Sequence, residues 1–128
     1  MAEEVVSGMA PLVYASGKTI ELVDHGSSAF QGYPSLIENA MRNLVDTAIR
    51  HTGSQAHIRV EVGPGPVFRV CDDGMRATAP QTQSANPSPR RIGLGLKIVG
   101  RIAEIHGGQL DINKRSGDGM VAKVTFPA

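Results

Sequence analysis

PSLIENAMRNLVDTAIRHTG, residues 34–53, is the stretch on which the fold turns. Pro34 suits the first turn of a helix, where a missing backbone N–H costs little, and Thr52-Gly53 is a stop signal. The spacing therefore predicts one long helix running to about His51. On a wheel of about 100° per residue, Ile37, Ala40, Met41, Leu44, Val45 and Ala48 share a face that would pack on a sheet. Asn39, Asn43, Thr47 and Arg50 form a second, polar stripe, with Asp46 at its edge. Alone, such a helix reads as an amphipathic helix with a solvated face. Two asparagines one turn apart argue for more, because Asn is a poor helix former.

Outward from this helix the chain alternates. Residues 18–23 read as a strand, with Ile20 and Leu22 on one side and Thr19 and Glu21 on the other. Residues 56–62 and 67–71 read as a hairpin across Gly63-Pro64-Gly65-Pro66. Residues 29–31 are a candidate short strand. Residues 93–106 read as a second long helix, with Leu94, Ile98, Ile102 and Ile105 as its apolar face and Gly107-Gly108 as its stop. Residues 109–113 and 120–126 close the chain as two strands, joined by a turn at 116–119. Residues 3–14 can form a helix despite Gly8 and Pro11. Between residues 75 and 92 no periodicity survives, and Pro80, Pro87 and Pro89 stand among Ser, Thr, Gln and Asn. A loop this long in a compact domain is often a lid, a disordered connector being the alternative. The expected architecture is α/β: a two-layer sandwich, a mixed five-stranded sheet covered on one face by about three helices.

Composition limits the function. At 128 residues there is room for one domain, residues 1–128, and 41% hydrophobic content supports an ordinary core. A net charge of +1 gives no bulk attraction to nucleic acid or to an anionic membrane. With no Trp and 4% aromatic residues, a stacking platform for single-stranded nucleic acid is also disfavoured. The single cysteine, Cys71, forms no internal disulfide and suits a reducing cytoplasm. No apolar run approaches the roughly 20 residues of a membrane span, and MAEEVV lacks the basic region of a signal peptide.

Three places can carry chemistry besides the polar stripe. Asp72 follows a strand, and a carboxylate there can accept from the exocyclic amine of adenine, with Gly74 letting a flat ring approach the backbone. Alone, Asp-Asp-Gly is more often an ordinary turn. GLGLKIV, residues 93–99, reads as a glycine-rich turn opening a helix, where free N–H groups and the helix dipole suit phosphate oxygens. Arg90 and Arg91 just before it add positive charge. The P-loop pattern is absent, and the four histidines show no metal-ligand spacing. His51 either flanks the pocket or finishes its helix, and His106 reads as a helix-finishing residue. In this order the segments describe a nucleotide pocket.

These residues resemble the catalytic, ATP-binding domain of bacterial sensor histidine kinases, whose superfamily includes DNA gyrase, ATP-dependent clamp chaperones and the mismatch-repair protein MutL. The family's first box resembles NLVDTAIRHT, residues 43–52; its second, DxGxG, resembles DDGMR, residues 72–76; its third is intact at residues 93–99. His106-Gly107-Gly108 and the closing stretch 117–127 also match, so the resemblance covers roughly residues 11–127. It implies the Bergerat-type ATP-binding fold, with residues 75–92 as the ATP lid and residues 1–14 as a candidate tail of a preceding dimerisation domain. It implies ATP and Mg²⁺ as cofactors. It implies that Asn43 and Arg50 face the phosphates as catalytic residues and that Asp72 and Gly74 bind adenine. Thr47, His51, Arg90, Arg91, Gly93, Leu94, Gly95 and Leu96 complete the nucleotide site, with Asn43 and Thr47 as the Mg²⁺ ligands. The implied reaction passes the ATP γ-phosphoryl group to a histidine on a separate dimerisation domain, and a response regulator follows. None of the four histidines here precedes Glu or Asp, as the family's acceptor usually does, so the acceptor is expected outside this chain. The implied location is cytoplasmic, on a parent protein that is free or attached to the inner membrane, with no nucleic-acid or membrane contact by this segment.

The sequence departs from the family pattern in two boxes and in the lid. Thr47 replaces the asparagine that usually ligates Mg²⁺, although a hydroxyl can also coordinate it. Arg76 replaces the second glycine of DxGxG, and the lid lacks the usual phenylalanine-bearing segment. A degenerate nucleotide-binding or regulatory module is therefore the alternative to an active kinase. A gyrase-type hydrolase fits less well, because that branch carries a glutamate base where this chain has Asn43.

Overall fold

The apolar positions of the alternating runs meet on one face of a single sheet. A computed structural model describes residues 1–26, 32–74, 89–114 and 119–127, with residues 89–94 as backbone only. The elements in chain order are α1 (Ala2–Ala15), β1 (Thr19–Asp24), α2 (Pro34–His51), β2 (His57–Val62), β3 (Val67–Asp72), α3 (Pro89–Ile105), β4 (Gln109–Lys114) and β5 (Met120–Thr125). The five strands lie in the order β1-β2-β3-β5-β4. Only β1 and β2 run parallel, so the sheet is mixed, as expected. The candidate strand at 29–31, the loop from 75 to 88 and most of the turn at 116–119 lie outside the described residues.

Register places the helix-facing side chains in rows. Ile20, Ile58, Asp72 and Met120 stand side by side across four strands, and Leu22, Val60, Val70, Ala122 and Ile112 form the next row. Over them pack Val5, Met9 and Val13 of α1, the predicted apolar face of α2 together with Ile49, and Val99, Ile102 and Ala103 of α3. The opposite face is charged. There Glu61 sits 3.0 Å from Arg59, 3.5 Å from Arg69 and 3.3 Å from His25.

Two expectations for α3 are corrected. The helix begins at Pro89, not at Gly93. Its buried stripe also lies about one position round from the predicted one: Ile98 is 39% exposed and Ile105 49%, whereas Val99, Ile102 and Ala103 are buried. The helix is apolar round much of its circumference. Packing beside α2 selects the stripe with the smaller residues, which allow close approach.

His106 and the glycines after it bind α3 to the rest of the core. Gly107 takes φ +76, Gly108 N–H reaches Ala103 O at 2.8 Å and Gly107 N–H reaches Glu104 O at 2.9 Å, the paired bonds of a left-handed helix stop. His106 lies 2.8 Å from Ile102 O through Nδ1, and its Nε2 accepts Tyr33 N–H at 2.9 Å. A carbonyl only accepts and an amide only donates, so the proton sits on Nδ1. The ring thereby holds the entry to α2 against the exit of α3.

Candidate functional site

Over β3, β5 and β4 the helices part. They leave a cleft of about 500 Å³ between α2 and α3, floored by Val70, Asp72, Ile112, Met120 and Ala122. Thr47, Arg50, His51 and Leu96 stand round it. A second cavity of about 360 Å³ lies by Phe68 and Phe126, with none of the predicted site residues in its lining.

The polar stripe of α2 is preset by its own helix. Asn43 Nδ2 donates to Asn39 O at 2.9 Å and to Asn39 Oδ1 at 3.2 Å. Because the Asn39 carbonyl can only accept, the nitrogen belongs on that side, and Asn43 Oδ1 is left as an acceptor. Thr47 Oγ1 donates to Asn43 O at 2.8 Å, so its proton is used and its remaining lone pairs are free to accept. Above them passes Gly95: a methyl group there would come 3.2 Å from Thr47 Oγ1 and 3.9 Å from Asn43 Oδ1. The glycine lets the backbone of α3 lie against the polar stripe. The third sequence box thus meets the first.

Asp72 ends β3 on the helix-facing side and is 5% exposed. A buried carboxylate needs hydrogen bonds, and Oδ1 accepts Gly74 N–H at 2.9 Å. Gly74 adopts φ +84, where a side chain would be strained, and its carbonyl accepts Gly53 N–H at 3.1 Å. This ties the strand end to the residues that follow α2. The neighbouring Asp73 caps the start of β2, accepting His57 N–H at 3.0 Å. The two carboxylates of the acidic turn therefore do different work.

Of the predicted site residues, Thr47, Arg50, His51, Asp72 and Leu96 share the cleft, Asn43 lies beside Thr47 under Gly95, and Gly74 is held to Asp72. The side chains of Arg90, Arg91 and Leu94 lie outside the described residues. The expectation that Gly93 and Gly95 open the helix is corrected, since α3 begins at Pro89 and both lie beyond its first turn. Among the described residues, the amides left free by helix geometry are those of residues 90 and 91, Pro89 having none. Pro89 itself was the available signal, as proline favours the first helical position. Sequence reasoning also missed the apolar floor. Val70, Ile112, Met120 and Ala122 come from three strands, and only their alternation hinted at it.

A profile of the histidine kinase-, DNA gyrase B- and HSP90-like ATPase family matches residues 32–128. The chain is 34% identical to the sensor protein kinase PmrB of Pseudomonas aeruginosa, over 99% of this chain and 29% of that protein. It is 31% identical to the methanogenesis regulatory histidine kinase FilI of Methanothrix harundinacea, over 78% of this chain and 13% of that protein. The chain therefore spans only a minor part of these curated relatives. The cytoplasmic segment of histidine kinase QseC superposes with a TM-score of 0.75 at 25% identity, over 98% of this chain and 71% of that one. The catalytic domain of histidine kinase ThkA shares the fold, with a TM-score of 0.70 at 20% identity over 98% of this chain and 88% of that one. Among the described residues no helix is long and apolar enough to cross a membrane. The chain belongs to the histidine kinase-, DNA gyrase B- and HSP90-like ATPase family, and within it is an ATP-binding catalytic domain of the sensor histidine kinase kind.

Proposed function

We propose that ATP binds in the cleft between α2 and α3 and that its γ-phosphoryl group passes to a histidine on a separate dimerisation domain of the parent protein, then to a response regulator. The observation that carries this reading is the convergence of Thr47, Arg50, Asp72 and Leu96, far apart in sequence, on one cleft. Asp72 accepts from the exocyclic amine of adenine, and Val70, Ile112, Met120 and Ala122 supply apolar surface for the base. Arg50 takes phosphate oxygens from the other end. The backbone of Arg90 and Arg91 lies in the first turn of α3.

Magnesium fits the donor set. Asn43 Oδ1 and Thr47 Oγ1 are neutral hard oxygens whose neighbouring protons are bonded elsewhere, so both can present lone pairs. Bound there, the ion would neutralise phosphate charge. The protein's part is positioning. The transfer breaks the β,γ-bridging P–O bond and forms a P–N bond on the incoming imidazole, which loses its N–H proton. His57 and His106 each have both ring nitrogens engaged, by Thr19 and Glu21 and by Tyr33 and Ile102 respectively, which supports an acceptor from outside. Incubation of this domain with the dimerisation domain of its own parent protein and γ-labelled ATP tests the proposal. Magnesium-dependent, acid-labile and alkali-stable label on that histidine is expected; no such label would overturn it.

A further inference from the structure

We infer that Asp46 is a positioning residue that tethers Arg50 by one nitrogen and keeps its fork open for phosphate, an inference that rests on the nucleotide reading above. Arg50 stands in the last turn of α2 at the wall of the cleft, 59% exposed at its side chain. Its Nε–H donates to Asp46 Oδ2 at 2.8 Å, one helical turn back. Among the described residues its terminal amino groups, Nη1 and Nη2, make no hydrogen bond. Arg42, on the same helix, provides the contrast. There Glu38, also one turn back, takes both Nε at 3.2 Å and Nη2 at 3.1 Å with a single oxygen, Oε2. Glutamate is one methylene longer and reaches round the guanidinium; aspartate stops at Nε. Asp46 therefore limits the wandering of a long side chain yet leaves the bidentate edge of Arg50 to the cleft, where two phosphate oxygens match its spacing. A glutamate at this position would take Nη2 as well as Nε, as Glu38 does at Arg42, and so break up the Nη1–Nη2 pair.

Three variants separate the possibilities. Asp46→Ala removes the tether, Asp46→Glu occupies the fork, and Asp46→Asn keeps an acceptor for Nε–H without the charge. Calorimetry of this domain should show ATP affinity reduced on the order of five-fold by Asp46→Ala and by Asp46→Glu, and restored in Asp46→Asn. Adenosine, which has no phosphates, should bind all four proteins alike. Unchanged ATP affinity in the first two variants would overturn the inference, as would a parallel loss of adenosine binding, the mark of a merely structural role. The tether is also read without nucleotide, from hydrogen exchange of the Arg50 Nε–H by NMR. Faster exchange in Asp46→Ala than in the wild type is expected, and equal rates would overturn the tether. If the wild-type domain takes up no ATP, the nucleotide reading fails, and these exchange rates still decide the tether.

Discussion

Gly108 has no room for a side chain, because a methyl group there would stand 1.9 Å from the Thr125 carbonyl oxygen. The obstacle is backbone of a neighbouring strand, so Gly108→Ala should cost roughly 3 kcal/mol or more in urea unfolding. Gly95 is the opposite case. Its nearest neighbour is the Thr47 hydroxyl at 3.2 Å, a side chain that can turn, and alanine favours a helix interior by about 1 kcal/mol. Gly95→Ala should leave stability within about 1 kcal/mol yet weaken ATP binding several-fold, as its methyl group crowds the Asn43–Thr47 oxygens. A stability loss as large as that of Gly108→Ala would assign Gly95 to packing. Both glycines were visible in the sequence. The reason for each was not, since it depends on which remote strand or helix passes by. Asp72 was legible as a strand-end carboxylate. Asp72→Asn keeps its shape and removes its charge, and should reduce ATP affinity roughly tenfold or more by calorimetry.

The two long helices differ in how much their sequences disclose. α2 separates its apolar and polar residues cleanly, and every residue of its predicted apolar face is buried. In α3 isoleucines, leucines and a valine surround most of the circumference, so the wheel admits more than one inward face. Only the neighbouring helix decides between them. The decision is testable by paired truncations. Ile102→Ala should cost roughly 3 kcal/mol, and Ile105→Ala about 0.5 kcal/mol, by thermal or urea unfolding. Equal costs would contradict the observed face. The start of α3 was obscured for another reason: Arg90 and Arg91 read as loop charge although Pro89 is a helix-start residue.

The cleft is a property of the whole chain. Asp72 gains Met120 as its neighbour because β3 pairs with β5, and Ile112 comes into the next row because β4 forms the edge beyond β5. That order runs against sequence order, and no local pattern announces it. The three boxes were legible by resemblance, and the bonds that preset them were not. Asn39 holding Asn43 depends on side-chain geometry one turn apart, which periodicity alone does not give. The central claim is that α2, the end of β3 and α3 form one nucleotide site. Its most direct test is an amide and methyl chemical-shift map of the domain titrated with ATP and Mg²⁺. Saturable shifts concentrated at Thr47, Arg50, Asp72, Gly74, Leu96, Ile112 and Met120 are predicted. Shifts gathered instead at Phe68 and Phe126, round the second cavity, would contradict the account.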